Sequence, residues 1–374
     1  MSILDSKFII DGVPEDLTLR ELLDESCEAY PSPQTIVDES ILEDLAEPDY
    51  ETSRVEKYGN ALNSKIHSGS KSFSLTHSEF CTLRDLSAAI LETLFCEGIF
   101  SLQEIEIGLR WNWVIEKIGN AASLYNSVAA ASDFLSGLSV KISEYAIEKH
   151  GKCSFEAFCT GVHSDRGFMD FISSAYDGFE QHYEAAYITR EKICDETLVP
   201  EEESYGIYIP FDQSAPALAG SAFSSFISHV GSGAPLIGDS AYFSDCYQIC
   251  REFIKDGIAL SAAQVGSGGL YYAASRLTEG GCVLDLSTGS LESQNPSKNI
   301  VEILFSEIPG MLLQVSSYDR DYVDTELLLQ EVAYYTVGKP TLSHKGLKIL
   351  NGNGGAVAQI LDMLLTTQTS EGED

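Results

Sequence analysis

Ile258-Ala259-Leu260-Ser261-Ala262-Ala263-Gln264-Val265-Gly266-Ser267-Gly268-Gly269-Leu270-Tyr271-Tyr272-Ala273-Ala274-Ser275-Arg276-Leu277 is the stretch on which the fold turns. A short apolar run at 258–262 leads into the glycine-rich loop Gly266-Ser267-Gly268-Gly269, and residues 270–277 read as a helix. Upstream, residues 205–211 are rich in β-branched and aromatic side chains and read as a strand. Residues 243–255 read as a helix, stopped by Asp256-Gly257. Downstream the alternation continues, with strands at 282–286, 311–315, 334–337 and 347–350 and helices at 299–305 and 321–331. A last helix is expected at 355–366. Strands alternating with helices imply a sheet covered by helices.

The first half follows the same logic. Residues 83–96 read as a helix with Leu86, Ala89, Ile90 and Leu94 on one face, and 105–109 as a strand. Residues 120–138 read as a second helix, with Leu124, Val128, Ala131 and Leu135 at helical spacing and Gly137 as its stop signal. Residues 138–142 read as a strand. Residues 1–56 are acidic, with Lys7, Arg20 and Arg54 as counter-charges. They still carry Leu17, Leu19, Leu22 and Leu23, then Ile41, Leu42 and Leu45, which suggests short amphipathic helices around Pro31-Ser32-Pro33. The expected divisions are an acidic helical leader at 1–56, an N-terminal domain at 57–176, an acidic connector at 177–203, a C-terminal domain at 204–352, and a helix and tail at 353–374.

The chain of 374 residues carries 57 acidic against 23 basic residues, a net charge of −34. Such a surface repels phosphate backbones and anionic lipid, which argues against nucleic acid and membrane as partners. It keeps a protein soluble, and it also makes a triphosphate hard to hold without cations. No run of about 18 apolar residues is present, and the first 14 residues lack the basic start and long apolar run of a signal peptide. The expected location is cytoplasmic. Nine cysteines are scattered without a CxxC pair; Cys246 and Cys250, four apart on a helix, share a face but lack neighbouring ligands. They read as reduced, buried, small apolar residues.

Signals for chemistry are sparse. The loop at Gly266–Gly269 is the best anion-binding candidate, because N–H groups at a helix start attract negative charge; glycines also serve simple turns. Gly231-Ser232-Gly233 and Asn351-Gly352-Asn353-Gly354-Gly355 read as loop tips. Neither continues into Gly-Lys-Ser/Thr, and no GxGxxG opens a strand–helix unit. Seven histidines form no HExxH-like set, and His163-Ser164-Asp165 reads as a solvated tripeptide. Trp111-Asn112-Trp113 could line a pocket or anchor a core at a strand end.

A family resemblance adds to this reading. Leu304-Phe305-Ser306-Glu307-Ile308-Pro309-Gly310, followed by Met311-Leu312-Leu313-Gln314-Val315, resembles the step from helix to core strand in phosphoribosylformylglycinamidine synthases. Val337-Gly338 resembles the step that closes that family's C-terminal fold, and Gly266 to Leu270 stands where the family has Ser-Asp-Gly-Gly-Leu. Leu42-Glu43-Asp44-Leu45-Ala46-Glu47-Pro48, then Tyr58, resembles the linker into the second half of the single-chain bacterial synthases. Residues 83–98, Asn112, and residues 119–125 resemble its first-domain helix, Asn-bearing strand end and following helix. The resemblance implies an α+β, aminoimidazole ribonucleotide synthetase-like two-domain fold, with an N-terminal α/β dimerisation-barrel domain and a C-terminal α/β sheet domain. It also implies pairing, as a homodimer or as a heterodimer with a catalytic synthase half.

The departures bear on activity. The family's metal-binding Asp aligns near Leu75 and Thr76. The loop His-Asp-x-Ser-Asp-Gly-Gly-Leu reads Ala263-Gln264-Val265-Gly266-Ser267-Gly268-Gly269-Leu270, and the loop after the second helix reads Ser139-Val140-Lys141-Ile142-Ser143. Phosphoryl transfer rests on positioning and on charge neutralisation by magnesium, itself held by carboxylates. The expectation is therefore a non-catalytic structural or regulatory half of a purine-biosynthesis synthase, with no catalytic residue, metal ligand or cofactor. Its ligand-loop candidates are Asn112, Gly119, Lys141, Gly266, Ser267, Gly268 and Gly269. Two alternatives stand beside it. One is an active ATP-dependent, amidine-forming C–N ligase subunit using magnesium, ATP and acids such as Asp85 or Asp133. The other is an acidic interaction module on the same fold.

Overall fold

The computed structural model describes residues 3–10, 13–15, 17–25, 34–38, 73–96, 101–115, 117, 119–149, 152–162, 194–201, 203–226, 233–280, 282–341 and 346–349. The strands are β1 (Ile9–Ile10), β2 (Val13–Pro14), β3 (Gln34–Asp38), β4 (Ile105–Asn112), β5 (Lys141–Glu148), β6 (Ser154–Val162), β7 (Ser204–Pro210), β8 (Ala259–Val265), β9 (Val283–Leu286), β10 (Gly310–Ser316), β11 (Tyr335–Thr341) and β12 (Gly346–Ile349). The α-helices are α1 (Leu19–Glu25), α2 (Ser78–Glu92), α3 (Asn120–Leu138), α4 (Ala222–Phe226), α5 (Ser240–Lys255), α6 (Gly269–Leu277), α7 (Gly289–Gln294), α8 (Ile300–Phe305) and α9 (Arg320–Leu329). The fold is α+β, as expected.

Two larger sheets organise the chain. The N-terminal sheet runs β3-β5-β4-β6, parallel except for the antiparallel β4–β6 pair. The C-terminal sheet runs β12-β9-β11-β7-β10-β8, antiparallel except for β12 beside β9. Along β4, Ile105, Ile107, Leu109 and Trp111 are buried while Arg110 is exposed, so one face of this sheet meets helices. Strand β7 is buried along its whole length. Ile207 and Ile209 join a core shared with α2, α3, α5 and the N-terminal sheet; Tyr208 turns the other way, with Leu312, onto α6 and α8. The layers are therefore sheet, helices, sheet, helices. Residues such as Leu86 and Ile90, wholly buried between the two sheets, tie the halves together, and truncating such a side chain to Ala typically costs about 2–5 kcal/mol.

Several local expectations change. Residues 34–38 add a strand to the leader read as helical: Gln34-Thr35-Ile36-Val37 is β-prone and pairs along β5, which would otherwise be a bare edge. Helix α2 starts five residues before position 83, at Ser78. The strand expected at 138–142 begins at Lys141, because α3 keeps Leu138 and closes on Ser139 at φ 56°, whose N–H returns to Leu135 and Ser136. Gly137 is no stop signal; it lies inside α3, where a Cβ would strike the Ser240 side chain at the start of α5. Strand β6 and helices α4 and α7 were not foreseen. The readings for Ile41 to Pro48, Tyr58, His163 to Asp165, Gly231-Ser232, Asn351 to Gly355 and the helix at 355–366 lie outside the described residues, as does most of the 177–203 connector.

Candidate functional site

The glycine loop sits where the two halves meet. After β8 the chain turns through Gly268 at φ +85° and Gly269 at φ +67°, a region that glycine enters at little cost. A Cβ on Gly269 would lie 2.6 Å from the Leu304 carbonyl oxygen, so the helix start is pressed against the end of α8. The Gly268 N–H donates to Oε1 of Glu307 at 2.8 Å, and the same oxygen accepts the Ala222 N–H at 2.8 Å. Oε2 of Glu307 meets Nη1 of Arg84, from α2 in the other half, at 2.5 Å. Arg84 also donates to Asp85 at 3.0 Å and to the Gly220 carbonyl at 3.3 Å.

The Arg84 and Glu307 side chains are fully buried. Burial opposes the guanidinium charge, but Asp85 and Glu307 outweigh it and hold its pKa well above the usual value. Oδ2 of Asp85 is buried without a hydrogen-bond partner. The N–H that a phosphate would seek at the start of α6 is thus engaged by a carboxylate of the chain itself. Pattern reading singled out the loop but not Arg84 or Glu307. Their signal was a charged pair, Arg84-Asp85, within an apolar helix, and a lone acid between Phe305 and Ile308.

Beside this junction lies a cleft between α2, α3 and the segment 234–240. A cavity of about 350 Å³ is lined by Leu75, Thr76, His77, Ser123 and Leu236, among others. It shares Glu79, Leu83, Asn126 and Ile237 with a second cavity, of about 430 Å³, that reaches Asp133 and Ser240. Ser123 donates to the Leu75 carbonyl at 2.9 Å, which fixes the 75–77 turn at the start of α3. The 75–77 turn faces this cleft and brings an isobutyl group and a hydroxyl to it. The carboxylates lining the two cavities are Glu79 and Asp133; neither lining includes a lysine or arginine among the described residues.

The structure gathers only some of the other ligand candidates. Asn112 ends β4, and Gly119, at φ +86°, caps α3. Trp113 Nε1 donates to the Asn120 carbonyl and Asn120 Nδ2 donates to the Val114 carbonyl, so strand end and helix start are stitched together. Asn112 Nδ2 reaches Ser154 Oγ at 3.4 Å, while its Oδ1 is buried without a partner. Lys141 pairs in register with Glu106, whereas Asn112 pairs with Glu148, so the parallel strands put Lys141 at the far end of the sheet from Asn112, about 20 Å away. Ser267 lies in the glycine loop, outside this N-terminal group. Both tryptophans are wholly buried, and Trp111 Nε1 donates to Ser127 at 2.8 Å; they anchor the core. Cys246 and Cys250 lie buried along α5, and burial pushes the Cys246 thiol up to about 12. Among the described residues, no group of three or more His, Cys, Asp or Glu is placed to hold a metal ion. No helix described is long and apolar enough to cross a membrane.

With the cleft and loop placed, the chain can be set beside known proteins. No protein-family model matches it. It is 20% identical over 259 residues to the "Probable phosphoribosylformylglycinamidine synthase, chloroplastic/mitochondrial" of Arabidopsis thaliana, over 67% of this chain and 17% of that protein. It is 22% identical over 234 residues to the human phosphoribosylformylglycinamidine synthase, over 62% of this chain and 16% of that protein. The chain resembles these synthases. It spans about one sixth of the length of either. Among solved structures, Thermotoga maritima PurL complexed with ADP aligns over 75% of this chain and 40% of its own at 10% identity and a TM-score of 0.48. Thiamine-monophosphate kinase from Stenotrophomonas maltophilia aligns over 73% and 79% at 9% identity and a TM-score of 0.44.

Proposed function

We propose that this chain is a phosphoribosylformylglycinamidine synthase-like protein of purine biosynthesis that serves as a non-catalytic structural or regulatory half. The similarity to the two synthases supports the pathway. The observation that carries the non-catalytic reading is the lining of the cleft. Where the resemblance calls for an acid-held magnesium ion, the wall offers Leu75 and Thr76, and the carboxylates Glu79 and Asp133 share the lining with no described lysine or arginine. In a protein of net charge −34, a triphosphate entering that cleft meets repulsion. The loop at Gly268, held by Glu307 and Arg84, then works as a clasp between the halves. Isothermal titration with ATP and magnesium tests this: no saturable heat is expected, and micromolar, magnesium-dependent binding contradicts it.

One observation favours a second reading, an active ATP-dependent ligase subunit. Glu79 and Asp133 line adjoining cavities, so two carboxylates stand in the cleft for a cation that nucleotide phosphates would help to hold. The same titration separates the two. Pairing belongs to the proposal as well. The N-terminal sheet is open in the single chain and turns Glu106, Arg110, Glu148 and Glu156 away from the core, a face that a second copy or a catalytic half would cover. Light scattering during size exclusion is expected to give a dimer, alone or with a catalytic half; a monomer under both conditions contradicts it.

A further inference from the structure

A second cavity, which shares no lining residue with the cleft between the halves, opens at the end of the C-terminal sheet. Its volume is about 340 Å³. Strands β7 and β11 supply one wall, Tyr208 and Tyr335, whose rings stack with centroids 6.4 Å apart and planes 29° from parallel. Leu291, Ile303 and Ile308 supply apolar surface against the opposite elements, α7, α8 and the chain after α8. The rim is polar and uncharged except for one acid, Asp212, whose two oxygens already accept the N–H groups of Ser214 at 2.7 Å and Gly238 at 3.3 Å. That pair of bonds fixes the 212–214 turn, which places Ser214 in the cavity lining.

Ser214 is the telling residue. Its Oγ is buried and has no hydrogen-bond partner. Ser214 lines the cavity while its Oγ is closed off from it in the present rotamer; a turn about the Cα–Cβ bond to another staggered position lets the hydroxyl meet a ligand atom and relieves an unfavourable unsatisfied burial. Gln294 and Asn295 line the same cavity; Asn295 Nδ2 already donates to the Leu291 carbonyl at 3.1 Å, so Asn295 offers chiefly an acceptor while the Gln294 carboxamide carries both a donor and an acceptor. Burial raises the phenol pKa of both Tyr208 and Tyr335, so they stay neutral hydrogen-bonding groups at physiological pH. An aromatic wall, an apolar floor and a few convergent polar groups is the usual make-up of a small-molecule site, and pockets of that kind span about 300–1,000 Å³. This one lies at the small end, which suits one or two rings and excludes a nucleoside triphosphate. A lone carboxylate with no described lysine or arginine in the lining disfavours anions.

We propose that the cavity walled by Tyr208 and Tyr335 binds an uncharged planar heterocycle carrying amide-type donors and acceptors, held by stacking on the tyrosines and by a hydrogen bond to Ser214. The site is independent of the nucleotide question, since none of its residues enters that argument. The probes are uracil and adenine, for one and two rings, with adenosine monophosphate as the anionic control. Calorimetry on the full chain is expected to show saturable binding of at least one base, and weaker binding of the monophosphate than of adenine. Ser214→Ala removes a hydroxyl that bonds to nothing in the protein, so the free protein should melt no lower than the parent while base affinity falls roughly tenfold. Tyr335→Leu should weaken binding by at least as much through lost stacking. The proposal is overturned if neither base binds, or if Ser214→Ala binds the base as well as the parent does.

Discussion

Removing the Glu307 carboxylate should loosen both halves of the protein together, and by an amount that depends on what replaces it. Glu307→Gln keeps an oxygen for the Gly268 and Ala222 N–H groups and loses only the charge facing Arg84, which still has Asp85. A hydrogen bond to a charged group is worth about 1.5–3 kcal/mol, so the Gln variant should lose that much. Glu307→Ala also leaves the two buried N–H groups unpaired, at about 1–3 kcal/mol each, and breaks one side of a buried pair, a change that costs about 3–5 kcal/mol. These terms overlap, and a total near 5 kcal/mol is a large part of the roughly 5–15 kcal/mol that holds a typical domain. The assay is urea unfolding followed by tryptophan emission, because both tryptophans are buried in the N-terminal half. Hydrogen exchange at the Gly268 amide reports the other half. The Ala variant should unfold at clearly lower urea than the Gln variant, with both probes moving together. If Ala costs less than about 1 kcal/mol, or no more than Gln, the clasp is not what joins the halves; if Ala does not fold at all, the Gln shift still decides.

Three further outcomes follow from local geometry. Gly269→Ala should fold poorly or melt far below the parent, since its Cβ would press on the Leu304 and Ser306 carbonyls at φ +67°, while Gly266→Ala, with open space around it, should change stability by no more than about 0.5 kcal/mol; thermal melts of the pair check this. Gly119→Ala should cost only about 1 kcal/mol, because its backbone angle is strained for alanine but no described atom beyond its chain neighbours lies within 4 Å of the new Cβ. Alkali should destabilise the fold: burial raises the thiols of Cys194 and Cys246 to about 12 and of Cys159 to about 11, so on going above about pH 8.5 the unfolded chain loses these protons first. The stability they contribute is whole below about pH 8.5 and falls as pH rises toward 12; melting temperature across that range should decline, and a flat profile contradicts it.

Much of the fold was legible because its elements are strongly patterned. Helix α3 spans the residues that its Leu124, Val128, Ala131 and Leu135 spacing announces, and Asn299 caps α8 through a reciprocal pair with Glu302 where a start was expected. Strand β6 escaped notice because it carries Phe155, Ala157 and Cys159 inward and Glu156, Phe158 and Thr160 outward, a weak alternation that only pairing with β4 stabilises. Strand β3 was hidden within an acidic segment and is held by its long-range partner β5. The site was less legible still. The glycine loop announced itself, but the partner of its N–H lies 39 residues away on Glu307, and that acid's cation lies 223 residues away on Arg84. No local pattern encodes such a meeting. The orphaned hydroxyl of Ser214 is likewise a property of the folded chain, since any serine in a loop reads alike.

The most direct test of the account is the phosphorus-31 spectrum of ATP with magnesium, recorded with and without stoichiometric protein. The account predicts unshifted, sharp α-, β- and γ-phosphate lines, because the cleft faces the phosphates with Glu79 and Asp133 and no described lysine or arginine. Broadened or shifted β- and γ-phosphate lines that need magnesium and revert on chelation would show a working nucleotide site, and the non-catalytic reading would be wrong.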